Sequence, residues 1–244
     1  MCRSRTVNIL LSLAVQSGVR QKFVRRATET EDKRGGATGY DSFATRKVSA
    51  DSSIITFNYD VALERALTTA GKWDVGTGYG YIAIPDREPS PITVFKLHGS
   101  VNWFQAPMQG QPPPYMFPRD FRVLGYETLK DARVAGDGMG VNNSGTFILP
   151  DPRKKFFWEA FWEPLWNAAA ARLRAADAVF IHGYSMPTAD VRARELLFDN
   201  IRKSTPLSIH CRSRSEPIAD EFRGRGFGDV RSFPDVGFEV WAQA

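Results

Sequence analysis

The chain has 244 residues, of which 43% are hydrophobic, and its 32 lysines and arginines against 27 aspartates and glutamates give a net charge of +5. This length and apolar content allow a substantial buried core and exclude a disordered chain. The basic residues are spread along the sequence and do not form a stripe, so nucleic-acid binding is not predicted. Two cysteines, Cys2 and Cys211, cannot build a disulfide framework or a four-cysteine zinc module by themselves, and they favour a reducing, cytoplasmic location.

Residues 1–51 are predicted to form an N-terminal helical or flexible segment. The apolar run at 7–15 has the length of a signal-peptide core, but no small-x-small cleavage site follows it, so we interpret it as the end of a helix. Residues 16–51 are polar and charged, which is typical of a mobile connection. No other run approaches the roughly 20 apolar residues that a membrane span requires, and no membrane association is predicted.

The first strong strand and helix of the chain follow residue 52. An apolar, β-branched run at 53–57 predicts a buried strand, and a turn leads from it through Asn58 to Asp60. A helix is predicted to begin at Val61 and to end before Gly71, because glycine is favoured just after a helix end. Its apolar positions recur at helical spacing, at Leu63, Ala66, Leu67 and Ala70.

Strands and helices alternate through the rest of the chain. Strands are predicted at 92–97, 178–181 and 207–211, and helices at 156–176 and from residue 188 or 189 to 203. Between them, residues 105–150 show little periodicity and are interpreted as an irregular excursion or small lid. The alternation predicts an α/β protein with a doubly wound, mostly parallel sheet flanked by helices.

Three of the predicted strands are followed directly by small or polar residues that could take part in catalysis or binding. These segments are Thr-Phe-Asn-Tyr-Asp at 56–60, Lys-Leu-His-Gly-Ser at 96–100 and His-Gly-Tyr-Ser-Met-Pro at 182–187. In open α/β sheets, ligands bind where the carboxyl ends of parallel strands meet. The pattern therefore predicts one site, at which Asn58, Asp60, His98, Ser100, Gly183 and Ser185 gather along the same rim.

Together, three segments resemble the sirtuin-like domains of bacterial proteins, which include antiphage-defence NAD hydrolases. They are Ile-Ile-Thr-Phe-Asn-Tyr-Asp, Lys-Leu-His-Gly-Ser-Val-Asn-Trp and Ile-His-Gly-Tyr-Ser-Met-Pro-x-x-Asp. The resemblance covers residues 52–211 and implies a Rossmann-like domain at 52–244 that binds NAD and hydrolyses its nicotinamide–ribose bond. It further implies that Asn58 and His98 are catalytic. The residues implied to contact NAD are Phe57, Asp60, Gly99, Ser100, Gly183, Tyr184 and Ser185.

The sequence departs from this family in two places. No opening strand with a Gly-Ala-Gly loop, which would cradle the NAD pyrophosphate, is recognised, and the glycines at 35–39 follow a charged run. We therefore expect the chain to lack that segment. Either the chain is truncated at its amino terminus, or its binding of NAD is weakened or lost. The zinc ribbon of sirtuin deacylases would need cysteine pairs within 105–150, which holds none, so protein deacylation is a distant alternative.

Each candidate residue also has an ordinary structural interpretation. Asn58 suits a strand-to-helix turn, and Asp60 suits the N-cap of the following helix, a role compatible with ligand binding. His98 is favoured as a proton-transfer group, although a lone histidine is commonly structural. Gly183 and Ser185 would also fit a plain turn, and Asp190 is either a ligand contact or, as we favour, a helix-start residue.

Alternatives to NAD hydrolysis also remain open. The rival functions are a non-catalytic module that senses NAD or a nucleotide derivative, and an inactive family member. The aromatic residues at 156–166 fit a core helix and also an oligomer or effector-partner surface. His182 and His210 end strands, and because no carboxylate or cysteine stands at ligand spacing near them, no metal is predicted.

Overall fold

The computed structural model describes residues 5–10, 39–80, 92–100, 102–105, 121–123, 146–147 and 159–244. Six strands in this part of the chain form one parallel sheet: β1 (Thr6–Leu10), β2 (Ser53–Thr56), β3 (Thr93–Lys96), β8 (Ala178–His182), β9 (Leu207–His210) and β10 (Val230–Ser232). Two short antiparallel pairs lie outside it. They join β4 (Gly99–Ser100) to β7 (Thr146–Phe147) and β5 (Trp103–Gln105) to β6 (Phe121–Val123).

The order of the strands is β10-β9-β8-β1-β2-β3, so the chain winds outward from β1 first in one direction and then in the other. This is the doubly wound, Rossmann-like arrangement, and it confirms the predicted α/β class. All six strands are parallel, and their carboxyl ends therefore lie at one edge of the sheet. The reversal of direction beside β1 places the ends of β1, β2, β3 and β8 next to one another at that edge.

Six helices flank the sheet within the described residues: α1 (Gly39–Arg46), α2 (Ala62–Thr69), α3 (Glu159–Ala175), α4 (Val191–Asn200), α5 (Ser215–Gly224) and α6 (Phe238–Gln243). Helix α1 packs against α2 and α6, α3 packs against α4, and α5 packs on β9 and β10. None of these helices is long and apolar enough to cross a bilayer.

The prediction of a helix end at 7–15 is wrong for Val7 to Leu10, which belong to β1. Val7 and Ile9 are buried, and β1 pairs with β2 on one side and β8 on the other. A central parallel strand is covered on both faces and reads as a continuous apolar run, which periodicity cannot distinguish from a buried helix. The opening strand of the Rossmann-like fold is therefore present, while the residues after it, 11–38, lie outside the described part.

The predicted mobile connection is also wrong where it overlaps α1. Phe43 and Ala44 of this helix are fully buried. The phenyl ring of Phe43 packs against Phe238 and Trp241 of α6, at centroid separations of 5.6 and 6.0 Å. The boundary at residue 51 stays a prediction, but residues on both sides of it contribute to one sheet and one core.

The remaining predicted elements agree with the structure to within a few residues. Helix α2 ends where it was expected to, because Gly71 adopts a positive φ of 67° just beyond the helix end. Helix α4 begins later than the predicted residue 188 or 189, since Met186 has a φ of 49° and the N–H of Asp190 donates to the carbonyl of Pro187. The described fragments of the 105–150 stretch are Gln105 at the end of β5, β6 and β7, and the rest lies outside the described residues.

Candidate functional site

Aromatic side chains from three strand ends meet at the carboxyl edge of the sheet. The ring of Phe57, just after β2, lies 5.0 Å from the imidazole of His98 and stacks at 4.7 Å on the ring of Tyr184. Trp166 of α3 packs beside them, with its ring 6.3 Å from that of His98. The structure thus brings His98, which was predicted to lie at the rim, together with Phe57 and Tyr184, which the family resemblance implied to contact NAD. It adds Trp166, one of the aromatic residues for which a core helix and a partner surface were both considered.

His98 is held in this cluster by the turn that follows β3. The residue before it, Leu97, is fully buried and donates its N–H to the carbonyl of Thr56 at 3.1 Å. The residue after it, Gly99, has a φ of 89°, a conformation that glycine adopts without strain. His98 itself is 6% exposed, and its Nε2 lies 3.6 Å from Oδ1 of Asp190. The imidazole is therefore buried beside a carboxylate.

Asp190 is the principal functional candidate that the sequence analysis undervalued. It occupies the N-cap position of α4 but makes no side-chain cap hydrogen bond. Instead, its Oδ2 accepts a hydrogen bond of 3.0 Å from the hydroxyl of Tyr184 while Oδ1 faces His98. Burial, and then the Asp190 charge, raise the pKa values of the Tyr184 and Tyr59 hydroxyls, so both hydroxyls stay protonated.

Asn58 lies at the same sheet edge, and its side chain is anchored by α1. It is 9% exposed, and its backbone N–H donates to Oγ1 of Thr56 at 3.1 Å. Its amide Nδ2 donates to the hydroxyl of Tyr40 at 3.1 Å. The ring of the preceding residue, Phe57, is the one that packs against His98. Tyr40 carried no recognisable signal in the sequence, because it lies in the segment that was predicted to be mobile.

Asp60 lies in the turn between β2 and α2, and Ser100, in β4, contacts the same turn. Oδ1 of Asp60 accepts from the N–H of Ala62 at 3.1 Å, which is a helix-start role one residue before the N-cap at Val61. The hydroxyl of Ser100 donates to the carbonyl of Tyr59 at 3.4 Å. Both side chains therefore stabilise the loop that carries Asn58, and their contact with NAD stays a prediction.

A buried ion pair fixes the strand that leads into His98. Nζ of Lys96 lies 2.8 Å from Oε1 of Glu64, and the same ammonium donates to the carbonyl of Asp60. The hydroxyl of Tyr79 donates to the same Glu64 oxygen at 3.0 Å. Both charged side chains are almost fully buried. The lysine of the Lys-Leu-His-Gly segment thus ties β3 to the first turn of α2.

The loop after β8 is shaped by two residues with positive φ. Gly183, with a φ of 65°, donates its N–H to the carbonyl of His210 at 3.1 Å, and Met186 follows with a φ of 49°. Between them, Tyr184 turns inward and is 1% exposed, whereas Ser185 is only partly buried. The loop therefore directs Tyr184 into the site, and a role for Gly183 and Ser185 in NAD binding stays a prediction.

The other two histidines form a separate pair at the ends of β8 and β9. Their imidazoles stack at 4.8 Å, and the indole of Trp241 lies 4.1 Å from the ring of His182. Neither ring nitrogen of His182 has a hydrogen-bond partner among the described residues. Burial, and then His210, lower the pKa of His182 well below 6.5, and burial lowers the pKa of His210 to about 4. The described residues contain no group of three side chains suited to a metal ion.

Comparison with known proteins found similarity among solved structures and none among sequences. No protein-family model matches the chain. No curated protein sequence matches it either. A chain from a solved structure described as "Structural Basis for the Mechanism and Regulation of Sir2 Enzymes" is similar over 98% of this chain and 90% of its own length, with 13% identity and a TM-score of 0.47. The function is therefore argued from the residues of this chain.

Proposed function

We propose that this protein binds NAD and hydrolyses the bond between nicotinamide and ribose, with Asn58 and His98 as the catalytic residues. The observation that carries the proposal is the 5.0 Å contact between the rings of Phe57 and His98. This contact brings the end of β2 next to the end of β3. The backbone of Asn58 and the imidazole of His98 therefore lie at the same edge of the sheet. The identity of the substrate, NAD, is inferred from the resemblance of the three strand-end segments to sirtuin-like domains.

The chemistry of the bond suits the side chains at this edge. Nicotinamide is cationic in NAD and leaves as a neutral molecule, so the leaving group needs little acid catalysis. The ribose carbon becomes more positive as the bond breaks, and the protein must orient the sugar, exclude bulk water and take up a proton. Those are tasks for groups that are buried and uncharged or readily protonated.

His98 and Asn58 fit two of these tasks. The imidazole of His98 can accept a proton from the attacking water or from a ribose hydroxyl, and the adjacent Asp190 carboxylate stabilises the imidazolium that results. A side-chain amide can both donate to and accept from ribose hydroxyls or water, and hydrogen bonds to Tyr40 and Thr56 fix the position of Asn58. Phe57 and Trp166 pack against the imidazole, Tyr184 stacks on Phe57, and these rings form an apolar surface that keeps bulk water away.

The direct test is incubation of the purified chain with NAD while free nicotinamide is followed over time. We expect steady release by the natural sequence and a loss of about 10²- to 10⁴-fold in Asn58→Ala and His98→Ala, each with an unchanged circular-dichroism spectrum. Ser232→Ala, a change at the distant strand β10, is the control and should retain full activity. Turnover that survives in both site variants would remove the assignment.

A non-catalytic NAD-binding module is the second candidate. The hydrogen bond from Asn58 to Tyr40 favours it, because that bond occupies one of the two amide donors of Asn58. Isothermal titration calorimetry separates the two functions: heat of binding without any release of nicotinamide supports the module. Thermal stability that does not change in millimolar NAD would contradict both, since a ligand at 100 times its dissociation constant stabilises a protein by about 2.7 kcal/mol.

A further inference from the structure

The carboxylate of Asp190 connects two groups of the site. One oxygen, Oδ1, lies 3.6 Å from Nε2 of His98, and the other, Oδ2, accepts the 3.0 Å hydrogen bond from Tyr184. The side chains of Asp190 and His98 are 7% and 8% exposed. A buried carboxylate is costly unless charged or hydrogen-bonding partners compensate it, so this geometry requires an explanation.

Helix capping does not provide that explanation. Asp190 stands at the N-cap position of α4, where an aspartate normally accepts hydrogen bonds from the first backbone N–H groups, but its side chain makes no such bond. Pairing with Arg194, one turn into α4, does not provide it either. Nη1 of Arg194 donates to the carbonyl of Met186, and Nη2 pairs with Glu221. The carboxylate is instead directed toward Tyr184 and His98.

We infer that Asp190 is a positioning residue, which fixes the orientation and tautomer of the His98 imidazole while Tyr184 holds its carboxylate in place. A carboxylate beside Nε2 favours the proton on that nitrogen, and Nδ1 is then the nitrogen that accepts a proton during the reaction. The water or ribose hydroxyl loses its proton to Nδ1, and Asp190 stabilises the imidazolium without becoming protonated. The separation of 3.6 Å exceeds a hydrogen bond and becomes one when the site tightens around its substrate.

The kinetic part of the test rests on the proposed function. Asp190→Asn keeps the shape of the side chain and removes its charge. We expect kcat to fall about ten- to a hundredfold while KM changes less than about twofold, because the residue acts on the base and not on binding. Asp220→Asn removes a matched charge from the exposed surface of α5 and should leave both constants unchanged. A loss confined to KM would contradict a positioning role.

The second part of the test does not depend on NAD turnover. The chain has only three histidines, so ¹H–¹⁵N spectra of the imidazoles can be assigned with His182→Phe and His210→Phe. We expect the natural sequence to carry the His98 proton on Nε2, and we expect Asp190→Asn and Asp190→Ala to shift it toward Nδ1. Tyr184→Phe retains the aromatic ring, loses the hydroxyl donor and should produce a smaller shift in the same direction. This third variant keeps the test decisive if the Asp190 variants fail to fold.

The outcomes separate the inference from the proposed function. An unchanged His98 tautomer in every folded variant overturns the positioning role, even if the natural sequence releases nicotinamide. A shifted tautomer in a protein that never releases nicotinamide supports the positioning role and contradicts NAD hydrolysis. A shifted tautomer together with the loss of kcat supports both.

Discussion

The carboxyl edge of this sheet holds two groups of histidines with opposite surroundings. His98 lies beside a carboxylate, 3.6 Å from Asp190, in contact with Phe57 and Trp166. His182 and His210 stack on each other beneath Trp241, and the pKa values of both are lowered by burial. All three residues sit at or just after the end of a parallel strand. Their surroundings therefore differ although their places in the sheet are alike.

The difference comes from the elements that cover each group. The loop from Gly183 to Asp190 carries Tyr184 and a carboxylate to His98. Helix α6 carries Phe238 and Trp241 to the other pair. Burial in this apolar cage opposes the protonation of His182 and His210, and His210 further lowers the pKa of His182. An acidic group and an aromatic cage thus give the same type of side chain two different environments.

The largest expected effect comes from replacing one histidine of each group and comparing the two losses of activity. His98→Gln should reduce the release of nicotinamide by about 10²- to 10⁴-fold, because it removes the proposed base. His210→Phe should leave turnover within about threefold, since this ring contributes packing against Phe233 and Trp241 and no proton transfer. Initial rates at neutral pH with saturating NAD measure both. Equal losses in the two variants would mean that the two groups do not differ in function.

A second prediction concerns the ion pair that precedes His98. Lys96→Met leaves the carboxylate of Glu64 buried without its cation, and the free energy of unfolding should fall by about 3–5 kcal/mol. Urea denaturation measures this loss. The double variant Lys96→Met with Glu64→Leu should recover most of it, because an apolar pair avoids the cost of desolvating two charges. No recovery in the double variant would show that the pair acts through some contact other than its charges.

The third and smallest effect is a pH dependence of the free energy of unfolding that comes from His182 and His210. The pKa of His210 is about 4 in the folded protein against an ordinary 6.5, and that of His182 is also well below 6.5. Between these values the unfolded chain binds more protons, so the free energy of unfolding rises with pH. Acidification from about pH 6.5 to pH 4 should therefore cost on the order of 1–3 kcal/mol from His210, and His182 adds a cost of the same sign.

Urea denaturation across that pH range checks the third prediction. The double variant with His182→Phe and His210→Phe keeps two stacked rings and removes the titrating nitrogens, so its stability should decline less on acidification. The difference between the two pH profiles isolates the pair from the carboxylates, which titrate in both proteins. Parallel profiles would contradict the assignment of the pH dependence to these histidines.

Local sequence patterns were sufficient to predict most of the sheet. Ile54, Ile55, Val179, Ile181 and Ile209 are fully buried in strands that were recognised from short β-branched runs. Gly71 marked the end of α2 because glycine readily adopts the positive φ that is needed just after a helix ends. The strand Thr6–Leu10 was missed, since an apolar run of this length fits a buried strand and a buried helix equally well and only pairing with β2 and β8 decides between them.

The sequence by itself determined which residues stand at the strand ends, because alternation and turn chemistry are local and the parallel sheet then carries Phe57, His98 and Tyr184 to one edge. Only the tertiary structure decided what those residues touch. Asp190 contacts His98 across 92 positions of the chain, and Trp241 reaches His182 from a helix that no local pattern had assigned to the site. Long-range packing places a carboxylate beside one imidazole and an indole beside another, so identical side chains at strand ends acquire different surroundings.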